Sequence, residues 1–253
     1  MKNIAILCLS AIVLFGACGN SSKNEECVYQ QLGLDCSAPV NTISETEEAA
    51  GWVSLFDGRS FTGWHGYNMA GIPAEWSIED GMITMQFVDA AESQDIITDK
   101  EYKSYALSLE YKLSNGANSG IIFQVKEDPA YNYPYETGPE FQVIDDAAWG
   151  DKIGESQRNA CNYEMYVAQG DFNKPIGEWN HAVLVVDGNK VSQYLNGVKT
   201  VEYEKYSEDW LQRRNAGKWA DYPDYGKYDE GHISLQNHGT QVWYRSIKLK
   251  ELK

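Results

Sequence analysis

From Trp52 onward, the chain repeats one pattern: short runs of β-branched and aromatic residues begin or end at an Asp-Gly or Asn-Gly pair. Such pairs include Asp57-Gly58, Asp80-Gly81, Asp187-Gly188 and Asn196-Gly197. Asn-Gly is a strong hairpin signal because both central residues of the tight turn need positive φ. The pattern therefore predicts many short antiparallel strands joined by tight turns.

The fold class follows from the periodicity of these runs. Residues 105–113 place apolar side chains on alternate positions, which is typical of a strand with one buried face. Strands do not alternate with helices, and one helix is predicted near 207–213, with Ser207 as its N-cap. We therefore predict an all-β protein, an antiparallel sandwich or jelly roll, with a single domain over residues 51–253.

The first residues predict export rather than fold. Residues 1–17 combine a short basic start with an apolar run of signal-peptide length, and small residues precede Cys18 as in a bacterial lipobox. We expect Cys18 to carry lipid and residues 18–50 to form a flexible acidic tether, which anchors the protein in the cell envelope. The alternative is an ordinary cleaved signal with an incidental cysteine.

Composition restricts the partners. The formal net charge of −16 argues against nucleic acid, and it leaves the lipid as the only predicted membrane contact. In an oxidising compartment Cys27 and Cys36 could close a small loop, and Cys161 is expected to be buried. Aromatic residues make up 13% of the chain, which suits stacking against sugar rings.

The candidate site begins at the predicted strand that contains Glu140. Glu140 and Gln142 share one face of this strand, and Phe141 and Val143 share the other. A buried Phe/Val face opposite a Glu/Gln face indicates a polar cleft, although a solvated sheet face has the same pattern. Asp145 is expected on the apolar side, where capping of the following turn is the simplest role.

Further predicted strand ends carry the same kind of polar side chain. They contribute Asn118 and Gln124 from one run, Gln236 and His238 from a second, and Arg245 from a third. Lys218 and His65 are candidates from aromatic-rich loops. For these residues, the alternatives are a hydrogen-bonded His238, an Arg245 paired with a surface acid, a solvated Lys218 and a His65 in a simple turn.

Taken in order, short motifs along the chain resemble the 3-keto-disaccharide hydrolase domain family. They are Gly51-Trp52, Leu55-Phe56-Asp57-Gly58, Gly63-Trp64, Trp76 with Asp80-Gly81, Asn118-Ser119-Gly120-Ile121, Gly138-Pro139-Glu140-Phe141-Gln142, Gly177-Glu178-Trp179-Asn180, Leu195-Asn196-Gly197, Leu235-Gln236-Asn237-His238-Gly239, and Trp243-Tyr244-Arg245 with Ile247-Lys248.

The resemblance implies a concanavalin-like sandwich, often exported as a lipoprotein, that cleaves glycosides oxidised at C3 into a 3-keto sugar and an alcohol. The family's glutamate and His-Gly motifs fall on Glu140 and His238. The chain departs from the family at residues 159–163 and at Gly217-Lys218-Trp219, which bears on substrate preference more than on fold.

A C3 ketone makes the C2 proton acidic, so the C1 substituent can leave by elimination and water can then add. This route needs a base, an electrophile at the C3 oxygen and a proton donor. Glu140 and His238 are the candidate reactive pair, with acid and base unassigned. The electrophile is Lys218, Arg245 or a divalent cation. The candidates for substrate binding are Asn118, Gln124, Gln142, Lys218, Gln236, Arg245 and His65. Such a substrate also requires a partner oxidoreductase that makes the ketone.

Two rival functions stay open from the sequence. A laminarinase-like retaining glycosidase needs two carboxylates about 5–5.5 Å apart, for which Glu140 and Asp145 are the comparable pair. A non-catalytic carbohydrate-binding module needs only the sandwich and the aromatic residues. A binder has no use for the Glu/His/Lys/Arg set, and that set favours the enzyme.

Overall fold

The computed structural model describes residues 27–87, 89–90, 93–170 and 172–253. The predicted signal peptide and Cys18 lie outside the described residues. Strands make up most of the regular secondary structure of the described chain. The strands are β1 (Trp52–Ser54), β2 (Trp64–Gly66), β3 (Trp76–Glu79), β4 (Met82–Met85), β5 (Ile96–Thr98), β6 (Tyr105–Leu113), β7 (Asn118–Val125), β8 (Glu140–Ile144), β9 (Trp179–Asp187), β10 (Lys190–Leu195), β11 (Val198–Glu204), β12 (His232–Leu235) and β13 (Val242–Glu251). The α-helices are α1 (Val28–Leu32), α2 (Glu45–Ala50), α3 (Asp146–Trp149) and α4 (Glu208–Ala216).

The strands form two antiparallel sheets, as predicted. The eight-stranded sheet has the order β11-β10-β9-β6-β13-β4-β3, with β1 also paired to β13. The five-stranded sheet has the order β2-β5-β12-β7-β8. At the predicted hairpin between β10 and β11, Asn196 and Gly197 both have positive φ, at 52° and 85°. The Asn-Gly signal therefore identified this turn correctly.

The main core lies between the two sheets and confirms the predicted alternation. All five apolar positions of β6 are at most 4% exposed. Phe141 and Val143 of β8 join the same core from the other sheet. The outer face of the five-stranded sheet is thereby left to Glu140 and Gln142.

Helix α4 confirms the predicted helix and extends it by one turn. The Ser207 hydroxyl accepts a hydrogen bond from Trp210 N at 3.2 Å, and acids occupy the first turn, as expected for this cap. Trp210 is buried and joins the main core. The helix thus packs beside the loop that carries Lys218.

The expectation of a flexible tether is wrong for residues 27–50, which fold onto the outer face of the eight-stranded sheet. Val28 and Leu34 pack there against Trp52. The Glu47 carboxylate in α2 is buried and accepts two hydrogen bonds of 2.8 Å from Lys248 Nζ. Acidic composition misled the prediction because one of these acids pairs with a buried lysine.

The N-terminal segment contains two of the cysteines. No disulfide joins any two of Cys27, Cys36 and Cys161, the cysteines among the described residues. The suggested loop closure by Cys27 and Cys36 is therefore not present, whereas Cys161 is buried as expected. No helix within the described part of the chain is long and apolar enough to span a membrane.

Candidate active site

The cleft is built on the outer face of the five-stranded sheet, where four strands place residues side by side. Leu235 pairs with Ile96 on one side and with Ile121 on the other, and Ile121 pairs with Phe141. These four side chains point into the core. The next residue along each strand therefore points outward. That outward row is Asp95, Gln236, Gly120 and Gln142.

Loops close over this row and form a cavity of about 190 Å³, here called the first lobe. It is lined by Asn118, Tyr135, Glu140, Gln142, Tyr163, Lys218, Gln236 and His238. Six of the nine residues predicted from the sequence for catalysis or substrate binding are in that set. The structure thus gathers both predicted reactive groups around one hollow.

Glu140 is the most unusual group in the first lobe. Its side chain is 4% exposed, and no hydrogen bond to its carboxylate is found among the described residues. Burial raises the pKa of Glu140 to about 8, against an opposing effect from Lys218 and with a small further increase from Asp95. A carboxyl group with such a pKa can exchange a proton near neutral pH.

Gly120 makes room for the Glu140 carboxylate. A Cβ atom at position 120 would lie 2.2 Å from Glu140 Oε1, far inside van der Waals contact. Gly120 pairs with Gln142 on β8. The Glu140 side chain therefore leans across the sheet from β8 onto β7.

Lys218 lies over a group of aromatic rings in the short 3₁₀ turn after α4. Its Nζ is 4.8 Å from the ring centroid of Tyr135, 4.9 Å from that of Tyr163 and 4.7 Å from that of Trp219. The rings desolvate the ammonium group and lower the pKa of Lys218, although the side chain reaches solvent and the Glu140 charge works in the opposite direction. Cation–π contacts hold the charge at the cleft without neutralising it.

Trp219 fixes the position of this turn. The indole is fully buried, stacks on Tyr225 at 3.9 Å between centroids, and donates from Nε1 to Tyr163 O at 3.2 Å. The Gly217-Lys218-Trp219 motif therefore combines an anchor in the core with a cation at the cleft.

Amide groups complete the polar lining. Asn118 Oδ1 and Asn237 Nδ2 are buried and have no hydrogen-bond partner among the described residues. Gln142 Nε2 donates to Gln157 O at 3.1 Å, which orients the amide. Unused buried donors and acceptors are costly, so these two asparagines are suited to form hydrogen bonds with a polar ligand.

His238 lies at the mouth of the first lobe, in the loop that follows β12, and its side chain is exposed. The neighbouring Asn237 holds this loop, because its Oδ1 accepts a hydrogen bond from Gly239 N at 2.9 Å. Gly239 has positive φ, which a glycine adopts readily. The imidazole is thus presented to the cleft by a tight turn.

Gln124 does not line the first lobe, although it was predicted to bind substrate. It is completely buried, with its amide between Lys205 Nζ at 2.8 Å and the Asp229 carbonyl oxygen at 2.9 Å. Its φ of +54° marks an irregularity in β7, beyond which Val125 packs in the same outer cluster as Ile122. Strict alternation fails here because a bulge turns Gln124 toward the core.

Arg245 also lies outside the cleft. Tyr244 of β13 is buried in the core, so Arg245 projects from the outer face of the eight-stranded sheet. There its Nε donates to Glu110 Oε2 at 2.8 Å, and its guanidinium stacks over Trp179 at 3.8 Å. The alternative of pairing with an acid is the correct one.

His65 belongs to a separate cluster on the edge strand β2. Its Nδ1 is 2.6 Å from Asp99 Oδ1, and its Nε2 is 3.2 Å from the Glu127 carboxylate. Partial burial works to lower the pKa of His65, but these two acids outweigh it and the pKa is raised. Both ring nitrogens are occupied by protein partners, and His65 does not line the first lobe.

Tyr135, Tyr163 and Asp95 line the two hollows of the cleft but were not predicted from the sequence. The tyrosines come from loops, where aromatic residues carry no periodic signal. Asp95 directly precedes the short apolar strand β5, the same position at a strand end that singled out other candidates. Asp145 caps α3 by accepting hydrogen bonds from Ala147 N and Ala148 N, as the simpler interpretation had it.

The described residues contain no group of three or more His, Cys, Asp or Glu side chains arranged to hold a metal ion. A divalent cation as the electrophile therefore has no preformed ligand set in this part of the chain, and no chemical step is assigned to one.

The sequence of this chain also matches a known protein family. A family model described as the 3-keto-alpha-glucoside-1,2-lyase-like domain matches residues 51–250. The chain belongs to this family. The resemblance predicted from the ordered motifs is therefore confirmed, and the match covers both sheets of the lyase-like domain.

Individual relatives agree with this membership. A curated 3-keto-disaccharide hydrolase from Bacteroides thetaiotaomicron is 31% identical over 280 residues, spanning 97% of this chain and 96% of that protein. A candidate glycosyl hydrolase of known structure from Parabacteroides distasonis is 37% identical, with a TM-score of 0.78 over 85% of this chain and 100% of that one. A second such structure from the same organism, at 24% identity and a TM-score of 0.61, shares the fold.

Proposed function

We propose that this lyase-like family member cleaves 3-keto-glycosides into a 3-keto sugar and an alcohol. Family membership and the relative named 3-keto-disaccharide hydrolase support glycoside cleavage on a keto sugar. The finer proposal, cleavage by C2 deprotonation, elimination and hydration, rests on the residues of the first lobe.

The mechanism rests on the buried carboxylate of Glu140. The ammonium group of Lys218, which lies over the aromatic rings of the same lobe, lowers the pKa of this carboxyl group. The raised pKa of Glu140 makes it a usable proton acceptor at neutral pH, and the Lys218 ammonium favours its ionised form. A C2–H bond next to a ketone is acidic enough for such a base. Hydrolysis of an unoxidised glycoside offers no comparable proton.

The C3 ketone assists two steps of the proposed route, the loss of the C2 proton and the addition of water. A base removes the C2 proton and the electron pair moves onto the C3 oxygen, where Lys218 stabilises the enolate. The enolate then expels the C1 substituent, and a proton donor protonates the departing oxygen. Water adds to C1 of the resulting enone and a proton returns to C2, which gives the 3-keto sugar. Glu140 and His238 are the proposed reactive residues.

Two alternatives have less support. The retaining-glycosidase hypothesis used Asp145 as its second carboxylate, but Asp145 is 2% exposed and its oxygens accept backbone hydrogen bonds at α3 and from Gly116 N. A pure sugar-binding module does not require a buried, unpaired carboxylate and a desolvated lysine at the same cleft.

The cellular setting stays a set of proposals. A lipid on Cys18 would hold the domain at the envelope membrane, and an oxidoreductase acting at C3 would supply the substrate. Both follow from the sequence and from the chemistry of the ketone.

The direct test offers purified protein matched pairs of glycosides, with and without a 3-ketone. Release of sugar only from the keto member supports the proposal, and equal release from both contradicts it. A keto substrate deuterated at C2 separates the routes, because elimination exchanges the label with solvent whereas direct displacement retains it. Repeating the assay with a chelator tests the cation.

Glu140→Gln is the matching variant, because it keeps the shape of the side chain and removes its ability to accept a proton. We expect a loss of at least ~100-fold in kcat with an unchanged circular dichroism spectrum. Gln142→Glu is unsuitable as a control since it adds a charge; Arg245→Gln, on the opposite sheet, is expected to retain full activity.

A further inference from the structure

A second hollow of about 220 Å³ adjoins the first lobe and is here called the second lobe. The two lobes share Tyr135, Gln236 and His238, which form the waist between them. The second lobe is completed by neutral residues and one acid: Tyr67, Ala90, Ser93, Gln94, Asp95, Asn132, Tyr133, Pro134 and Asn237. The cleft thus has two compartments that meet at these three residues.

Resting on the proposed function, we propose that the second lobe is the leaving-group subsite and that Asp95 protonates the departing oxygen. The first lobe, with Lys218 and Glu140, then holds the keto sugar, and the glycosidic bond crosses the waist. In this assignment Asp95 replaces His238 as the proton donor, and His238, at that waist, positions the substrate.

The sheet register brings the two carboxylates toward each other. Asp95, which directly precedes β5, and Gly120 of β7 lie in the same outward row, with Gln236, which directly follows β12, between them. Two inter-strand spacings separate those backbones, about 10 Å. Both side chains lean inward across this gap, since Asp95 Oδ1 accepts from Asn237 N at 2.8 Å and Glu140 lies over Gly120. The carboxylates therefore face the same region from opposite sides.

Asp95 has the properties of a proton donor. Among the described residues, that bond to Asn237 N is the one hydrogen bond found for its carboxylate, which leaves Oδ2 available. Desolvation raises the pKa of Asp95 to about 7, against the effect of this hydrogen bond. Asp95 also raises the pKa of Glu140. Two carboxyl groups with pKa values near neutrality can be in opposite protonation states at the same pH. The lower pKa belongs to Asp95, so the state with Glu140 ionised and Asp95 protonated is the less populated one, and the Lys218 ammonium group favours it by lowering the pKa of Glu140.

The lining of the second lobe fits a neutral polyol. Asp95 is the one acidic side chain among the described lining residues, and the rest offer amides, a hydroxyl and aromatic rings. Tyr133 is 49% exposed and stacks on Tyr135 with 5.1 Å between centroids, which provides an open ring face. Asn237 Nδ2 is a buried donor without a partner. A sugar hydroxyl would accept a hydrogen bond from Asn237 Nδ2, and the apolar face of a sugar would stack on the Tyr133 ring.

The proton balance closes over one turnover. Glu140 takes the C2 proton, the C1–O bond breaks, and the departing oxygen takes the proton of Asp95. Water then adds its oxygen to C1 and gives a proton to Asp95, while Glu140 returns its proton to C2. The sum is one glycoside and one water converted to a 3-keto sugar and an alcohol, with both carboxyl groups restored.

The test compares two 3-keto-glycosides that differ only in the leaving group, 4-nitrophenol or a second sugar. Nitrophenoxide leaves without protonation, whereas a sugar alkoxide does not. For Asp95→Asn we expect kcat to fall by at least ~100-fold on the disaccharide and by less than ~5-fold on the nitrophenyl substrate. Glu140→Gln is expected to lose both activities, and Tyr133→Ala to raise KM for the disaccharide alone.

The outcomes separate this inference from the proposed function. A wild-type protein inactive on both keto substrates refutes the proposed function itself. If the wild type is active and Asp95→Asn changes both substrates equally, or neither, Asp95 is not the donor. Leaving-group dependence in His238→Gln instead assigns that role to His238. An unchanged KM in Tyr133→Ala contradicts the placement of the subsite. Turnover of the nitrophenyl substrate shows that Asp95→Asn and Tyr133→Ala are folded, and circular dichroism shows it for Glu140→Gln.

Discussion

The Glu140 carboxylate lies directly over Gly120, where a Cβ atom would come within 2.2 Å of Oε1. An alanine at this position would therefore displace the carboxylate rather than the backbone. The glycine on β7 thus leaves the space that the proposed base on β8 occupies. The position of that base defines where the C2 proton of a substrate would have to lie.

Gly120→Ala should inactivate the protein without unfolding it. The added methyl group pushes Glu140 out of position, and a misplacement of about 1 Å costs roughly 100-fold in kcat. Gly154→Ala is the control, because Gly154 has extended backbone and an added Cβ finds its nearest contact at 3.7 Å. Steady-state kinetics and thermal melts of both variants provide the measurement. An active Gly120→Ala would show that Glu140 need not occupy its observed position.

The burial of Glu140 should appear in the pH dependence of stability. Its carboxyl pKa is about 8 in the folded protein and ordinary in the unfolded chain. The unfolded chain therefore loses this proton first, and the side chain costs stability increasingly as pH rises from about 4.5 to 8. We expect Glu140→Gln to match the wild type near pH 4.5 and to exceed it by a few kcal/mol near pH 8.5.

Urea denaturation of the two proteins at several pH values tests this difference. Glu202→Gln serves as the comparison at an exposed acid whose pKa is lowered by Lys199, so its stability difference should have the opposite sign. If the stability difference between Glu140→Gln and the wild type does not change with pH, the Glu140 carboxyl group has the same pKa in the folded protein and in the unfolded chain.

Lys218→Met should shift the pH–rate profile. The ammonium group lowers the pKa of Glu140, so its removal raises that pKa further. If ionised Glu140 is the base, the acidic limb of kcat/KM moves to higher pH and kcat falls, because the enolate loses its cation. Methionine keeps a long apolar stem over Tyr135 and Tyr163. Lys218→Arg retains the charge and should keep the wild-type limb; a Lys218→Met limb that stays in place would exclude this electrostatic link.

Lys248→Met tests whether the N-terminal segment is part of the folded domain. It leaves the buried Glu47 carboxylate without its cation, which typically costs about 3–5 kcal/mol. Lys190→Met, at an exposed pair with Glu202, should change stability by less than about 1 kcal/mol. Activity per folded molecule is expected to be unchanged in both. An equally small effect in Lys248→Met, measured by thermal melts, would restore the tether hypothesis for residues 27–50.

Local sequence signals predicted most of the fold because a strand's two-residue period and a turn's need for positive φ are local properties. Asn196-Gly197, the alternation of β6 and the Ser207 cap are all determined within a few residues. The same period placed Glu140 and Gln142 opposite Phe141 and Val143. Ordered motifs extended this to the family and to His238.

Prediction failed wherever a partner distant in sequence decides a side chain's role. Gln124 accepts a hydrogen bond from the buried Lys205, and Glu47 accepts one from the buried Lys248. Both lysines are far away along the chain. Arg245 pairs with Glu110 on the eight-stranded sheet. The two-residue period of a strand shows that a side chain points outward, but it does not show to which of the two sheets the strand belongs.

The sequence by itself determined most of the strands, the tight turns, most of the inward and outward faces and the family. Only the tertiary structure decided which outward residues meet, because that depends on strand order and on loops folding over one sheet. The row formed by Asp95, Gln236, Gly120 and Gln142 joins four strands by cross-strand hydrogen bonds, and no window of sequence contains it. The shifted pKa of Glu140 is likewise a property of its enclosure by those loops and of the loss of water around its carboxylate.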